Sequence, residues 1–137
     1  MPLDPTSWRD CTPYLHGLDL FNFGYYWEAH EAWEAVWHAA GRGGQVADFL
    51  KGLIKLAAAG VKAREGRSEG VIRHARRAQE LFEKVAMHSA DDCHFMGLSL
   101  EELKQVARQT AATPPRLVQR DHPPPVERVF DFELIPQ

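Results

Sequence analysis

Apolar residues recur at helical spacing along nearly the whole chain from about residue 12 to about residue 110, and nowhere in that stretch do they alternate as in a strand. A chain patterned this way must bury one stripe of each segment against the next. The fold class it demands is therefore all-α, a compact helical bundle with short connections. Four main helices and a short fifth can be placed. The first covers Tyr14 to Phe23, opened by Thr12 and Pro13 and closed by Gly24 at positive φ. The second runs from about Tyr25 to Ala40 and stops at Gly41-Arg42-Gly43-Gly44. The third, about Val46 to Arg64, carries Leu50, Leu53, Ile54, Ala57 and Val61 on one stripe. Ser68 caps the fourth, whose stripe is Val71, Ala75, Ala78, Leu81 or Phe82, and Val85. A loop from Ser89 to Gly97 leads to Ser99-Leu-Glu-Glu102, a capping-box pattern that opens the fifth helix to about Thr110.

Beyond Thr113 the pattern breaks. Six of the nine prolines lie there, and they forbid a continuing helix. Yet Val129-Phe130-Asp131-Phe132-Glu133-Leu134-Ile135 is too apolar for a free linker. Two readings stay open: an extended strap that packs Phe130, Phe132 and Leu134 or Ile135 onto the bundle, or an arm exchanged with a neighbouring subunit. Trp8 and Tyr14, read as exposed aromatics, hint with the tail at a homodimer. The expectation is one domain over residues 1–137, with the bundle at about 12–110 and the strap at 113–137.

Composition excludes several classes. Sixteen Lys and Arg against nineteen Asp and Glu leave a formal charge of −3. That is too balanced for a nucleic-acid partner or a membrane surface recognised by charge. No apolar run approaches the ~18–20 residues of a membrane span, and the N-terminus has no leader-like apolar stretch. Cys11 and Cys93 form neither a CxxC pair nor a disulfide framework, which points to a reducing, cytoplasmic setting.

Chemistry concentrates in the second helix, Tyr25-Tyr-Trp-Glu-Ala-His-Glu-Ala-Trp-Glu-Ala-Val-Trp-His38. Wrapped at about 100° per residue, it puts Tyr26, Ala29, Ala32, Trp33, Val36, Ala39 and Ala40 on a core arc. His30, Glu31, Glu34 and His38 fall on another arc, with Trp27 among them and Trp37 at its edge. His30 and Glu34 stand i,i+4 and can meet one divalent metal ion, and Glu31 sits as it would in an HExxH zinc site, here HExxE. In that reading His30 is ligand or general base, Glu31 and Glu34 are ligands or acid/base groups, and Trp27 and Trp37 are the walls. A metal-bound water would make the pocket hydrolytic. The bland alternative uses the same residues: Lys51 and Lys55 on the third helix pair with Glu31 or Glu34 and tie two helices together. The protein is then a non-enzymatic scaffold that binds a protein partner or itself. Elsewhere the loop His88-Ser-Ala-Asp91-Asp92-Cys93-His94 reads as polar rather than ligating, His74 as a core-edge histidine, and Arg73, Arg76 and Arg77 as a solvated face with Glu80 and Glu83.

Leu20-Phe21-Asn22, Gly24, Glu28-Ala29-His30-Glu31, Trp33-Glu34 and Trp37, followed by Phe49-Leu50-Lys51-Gly52-Leu53-Ile54-Lys55-Leu56-Ala57-Ala58, resemble the DUF309 family of small helical proteins. The resemblance covers roughly residues 14–85. It implies a compact helical bundle without an established activity, and it makes His30, Glu31, Glu34 and Trp37 family-pattern positions. Where that pattern leads one to expect Gln in the third helix, this chain has Lys51 and Lys55, whose ammonium groups would compete with a metal ion for the carboxylates.

Overall fold

The computed structural model describes residues 5–41, 43–88, 94–115 and 128–137. It is all-helical apart from one minimal hairpin. A 3₁₀ segment, Pro5–Asp10, leads into α1 (Thr12–Phe23), α2 (Tyr26–Ala39), α3 (Gly44–Arg64) and α4 (Ser68–His88). Two-residue strands β1 (His94–Phe95) and β2 (Leu98–Ser99) pair antiparallel before α5 (Leu100–Ala112). The five expected helices are present, with α1 and α3 each starting two residues earlier than the periodicity places them.

Local chemistry accounts for the ends. Gly24 takes φ 94° and its N–H closes α1 onto Phe21, as its lack of a side chain permits. Ser99 Oγ accepts from the Glu102 N–H at 3.2 Å, so the serine half of the capping box closes the start of α5. Thr12 is the first residue of α1 rather than its cap, and Cys11 holds the N-cap position without a side-chain bond. The described end of the expected loop, from His94, is a tight hairpin, its turn made by Met96 at φ 50° and Gly97 at φ 85°. Of the ligand-rich segment from His88 to His94, Ser89 to Cys93 lie outside the described residues.

α2, α3 and α4 run antiparallel with α3 in the middle. Tyr26 packs where a Cβ on Gly60 would sit, and Lys51 lies on Trp37, which sets the α2–α3 register. Lys62 covers Gly70 while Lys84 reaches Asp48 at 3.3 Å, which sets α3 against α4.

The core is unusually aromatic. Phe21 meets Tyr26, Trp33, Phe130 and Phe132 with ring centroids 5.1, 5.9, 5.5 and 5.9 Å away. Phe49 meets Tyr14, Phe82 and Phe95. Trp8 and Tyr14 belong to this core and are not exposed, contrary to the expectation. Tyr14 can be buried because its hydroxyl donates to the Met96 carbonyl at 2.8 Å, and that burial raises its pKa far above the ordinary phenol value. The exposed large hydrophobic residues among those described are Phe23, Tyr25, Trp27, Met87 and Ile135.

Residues 128–137 lie along α1 and α2 as a strap. Asn22 grips it through both groups of its carboxamide: Nδ2 donates to the Leu134 carbonyl at 2.9 Å, and Oδ1 accepts the Leu134 N–H at 2.7 Å. The Tyr26 hydroxyl accepts from Val129 N at 3.0 Å, and Gln137 N donates to the Gly97 carbonyl at 2.8 Å. Phe130 and Leu134 are buried, while Ile135 points outward. Pro123, Pro124 and Pro125 lie outside the described residues.

Candidate functional site

Along α2, the residues outside the core stripe form a continuous row. Trp27 and His30 stack face to face, 5.3 Å apart and 11° from parallel. His30 Nε2 faces Glu34 Oε2 at 3.4 Å, and Glu34 Oε1 lies 4.0 Å from His38 Nε2. Each step is one helical turn, the spacing at which side chains on one helix meet. His30 is partly covered, and its Nδ1 is buried with no hydrogen-bond partner among the described residues.

The expected constellation forms only in part. His30 and Glu34 do come together. Glu31 does not join them: it is exposed, turned about 100° away from His30. Among the described residues no three His, Cys, Asp or Glu side chains are grouped so as to hold a metal ion. Lys51 does not reach a carboxylate either. Its ammonium sits 4.5 Å from the Trp37 ring centre, a cation–π contact, and Trp37 in turn meets His38 edge-on at 5.1 Å. Lys55 has no ion pair among the described residues. Burial lowers its pKa first, then Lys51, Arg77 and Arg73 beside it, with Glu34 only partly offsetting them.

α4 supplies a side of the site that helical spacing within one segment cannot show. His74 is half-buried, and its pKa falls to about 4. Desolvation is the main cause, followed by Lys55, Arg73, Lys62 and His30. The core-edge reading of His74 thus holds for its burial and misses its surroundings, a ring of positive charge. Arg77 pairs with Glu80 at 3.0 Å on the solvent side, as the charge pattern of α4 suggests.

The sign of the His74 shift predicts an acid sensitivity. The unfolded imidazole takes up a proton near pH 6.5, the folded one only near 4. Between those values the unfolded state binds more protons, so stability falls as pH drops through that window. After discounting for partial exposure, the expected loss is about 1 kcal/mol. Thermal unfolding at pH 7 and pH 5 should show a smaller difference for His74→Gln than for the unmodified protein; equal differences would assign the acid sensitivity elsewhere.

Together these features define a small all-helical protein whose middle three helices share one aromatic and basic face. Residues 14–74 match the family model described as a domain of unknown function, DUF309, so the resemblance carried by the AHE-xxE-xxW and LxGLIxLAA stretches is borne out. The match holds Trp27, His30, Glu34, Trp37, Lys51, Lys55 and His74, and it leaves out Arg77 and the strap. Among curated proteins nothing matches the chain. No helix among the described residues is long and apolar enough to cross a membrane.

Proposed function

We propose that the protein is a ligand-binding module whose site is the face shared by α2, α3 and α4 around His30 and Glu34. One observation carries this reading: Trp27 holds a large exposed indole, 56% accessible and stacked on His30, and His30 is one of the groups that, with Lys55, Arg73 and Lys62, surround His74. An exposed indole can stack a planar or apolar ligand while nearby cations meet a negative group, a combination suited to recognition. Metal-dependent hydrolysis is the weaker form of the hypothesis, because Lys55 stands close enough to Glu34 to feel its charge and two donors make a poor site.

The scaffold alternative requires Glu34 to tie α2 to α3. Its contacts run along its own helix instead, and its side chain is 41% accessible. Glu34→Ala is therefore expected to change unfolding free energy by less than about 0.5 kcal/mol. A loss of about 3–5 kcal/mol, as for breaking a buried pair, would favour the scaffold. The binding reading is tested by thermal shift against nucleotides, sugar phosphates, dicarboxylates, Zn²⁺ and Mn²⁺. Stabilisation by one of them that disappears in Trp27→Ala supports the site; no shift from any overturns it.

A further inference from the structure

Because α3 is flanked by α2 on one side and α4 on the other, the face they share can be read as a trough with α3 as its floor. Lys55, Ala58 and Lys62 recur along one side of α3 at helical spacing. The Tyr26–Gly60 contact sets the Trp27 end of α2 beside this stretch, and the Lys62–Gly70 contact sets the start of α4 on its other side. Lys62, Gly70 and Arg73, together with Arg67 and Glu69, line an open concavity of about 470 Å³ at that end. We propose that this trough takes a phosphate monoester carried on a planar ring, the chemistry of a nucleoside monophosphate, with the ring laid on Trp27 and the phosphate met by Lys55, Lys62 and Arg73. The inference rests on reading this face as a ligand site and goes further by naming the ligand class.

Three features argue for that chemistry. One face of the Trp27 indole is already stacked on His30, so an incoming ring extends an existing stack, and base–indole stacking tolerates any planar ring. The cations hold a narrow surplus: Lys55, Lys62, Arg67 and Arg73 stand against Glu34, Glu65 and Glu69, Lys55 and Arg73 have no ion pair among the described residues, and Lys62 leans on Glu65 at 3.4 Å in an accessible pair that a ligand can replace. A dianion matches that surplus better than a single carboxylate, and a guanidinium such as that of Arg73 suits phosphate oxygens. Finally, the half-buried His74 is kept neutral by burial first and then by Lys55, Arg73, Lys62 and His30, so these groups from three helices converge on one place.

Adenosine monophosphate, ribose 5-phosphate and adenosine, titrated by calorimetry and by tryptophan fluorescence at low ionic strength, separate the two halves of the site. The monophosphate should bind best. Arg73→Ala, a change at an exposed position that leaves the fold intact by circular dichroism, should weaken both phosphates about tenfold or more. Trp27→Ala should bring the nucleotide down to the affinity of ribose 5-phosphate and leave the latter unchanged. Nucleotide binding no better than adenosine, or binding indifferent to both variants, overturns the inference. If the nucleotide fails while another compound of the thermal-shift panel binds in a Trp27-dependent way, only the ligand class falls; if every compound fails, the binding reading falls with it.

Discussion

Phe21→Ala is expected to cost about 3–5 kcal/mol of unfolding free energy, a large share of what a domain of this size possesses. Phe21 is 1% accessible and touches four other rings from α2 and the strap. Truncation removes apolar area and leaves a cavity whose walls, Trp33 and Tyr26, are themselves held. The Trp33 indole donates to the Tyr14 carbonyl at 3.2 Å, and the Tyr26 hydroxyl accepts from Val129. The surroundings cannot collapse without breaking those bonds, which places the cost toward the upper end. Because Phe130 stacks on Phe21 at 5.5 Å and 13°, the strap should loosen before the bundle does. Chemical denaturation gives the total, and amide exchange should rise first at Val129, Phe130 and Leu134. A loss below about 1 kcal/mol, or exchange unchanged in the strap, would show that the aromatic cluster is not what holds the tail.

The helices were legible because their information is local. Period, glycine breaks and the Ser99 cap all act within a few residues, and the helices they mark stand within about two residues of where they are expected. What the sequence hid depends on contacts between distant residues. β1 and β2 are two residues long, too short to alternate, and their turn is supported by a hydroxyl from Tyr14. The alternating Phe130, Phe132 and Leu134 mark a packed strap, yet its anchor, Asn22, is separated from Leu134 by 112 positions and looks like a helix end in sequence. The same division runs through the site. An i,i+4 spacing is enough to bring His30 to Glu34. It does not say that Lys51 prefers an indole to a carboxylate, nor that His74 from α4 stands among the cations of α3. Those facts belong to the packing of helices, and the packing is set by residues with almost no side chain.

Gly52→Val should therefore be among the most damaging changes in the molecule. In an exposed helix, replacing glycine with a larger residue gains up to about 1 kcal/mol of helix propensity. Here a Cβ on Gly52 would lie 2.5 Å from Cε1 and 2.9 Å from Cδ1 of Phe82, nearer than carbon atoms can approach. The ring has nowhere to go: Phe82 is fully buried and backed by Phe49 at 6.1 Å. Relief must come from separating α3 and α4, and overpacking of this kind costs about 3 kcal/mol or more for valine, against about 1–3 for alanine. Phe82→Leu vacates the ring's volume, so Gly52→Ala combined with Phe82→Leu should be less unstable than the sum of the two single changes. Additivity would mean that the ring and the glycine are not in contact. Gly52 lies less than one turn before Lys55, and α4 carries Arg73 and His74, so the spacing that Phe82 and Gly52 set also spaces the cations of α3 from those of α4. A variant that still folds but holds α3 and α4 further apart should lose the phosphate component of ligand binding while Trp27, on α2, keeps its stack on His30.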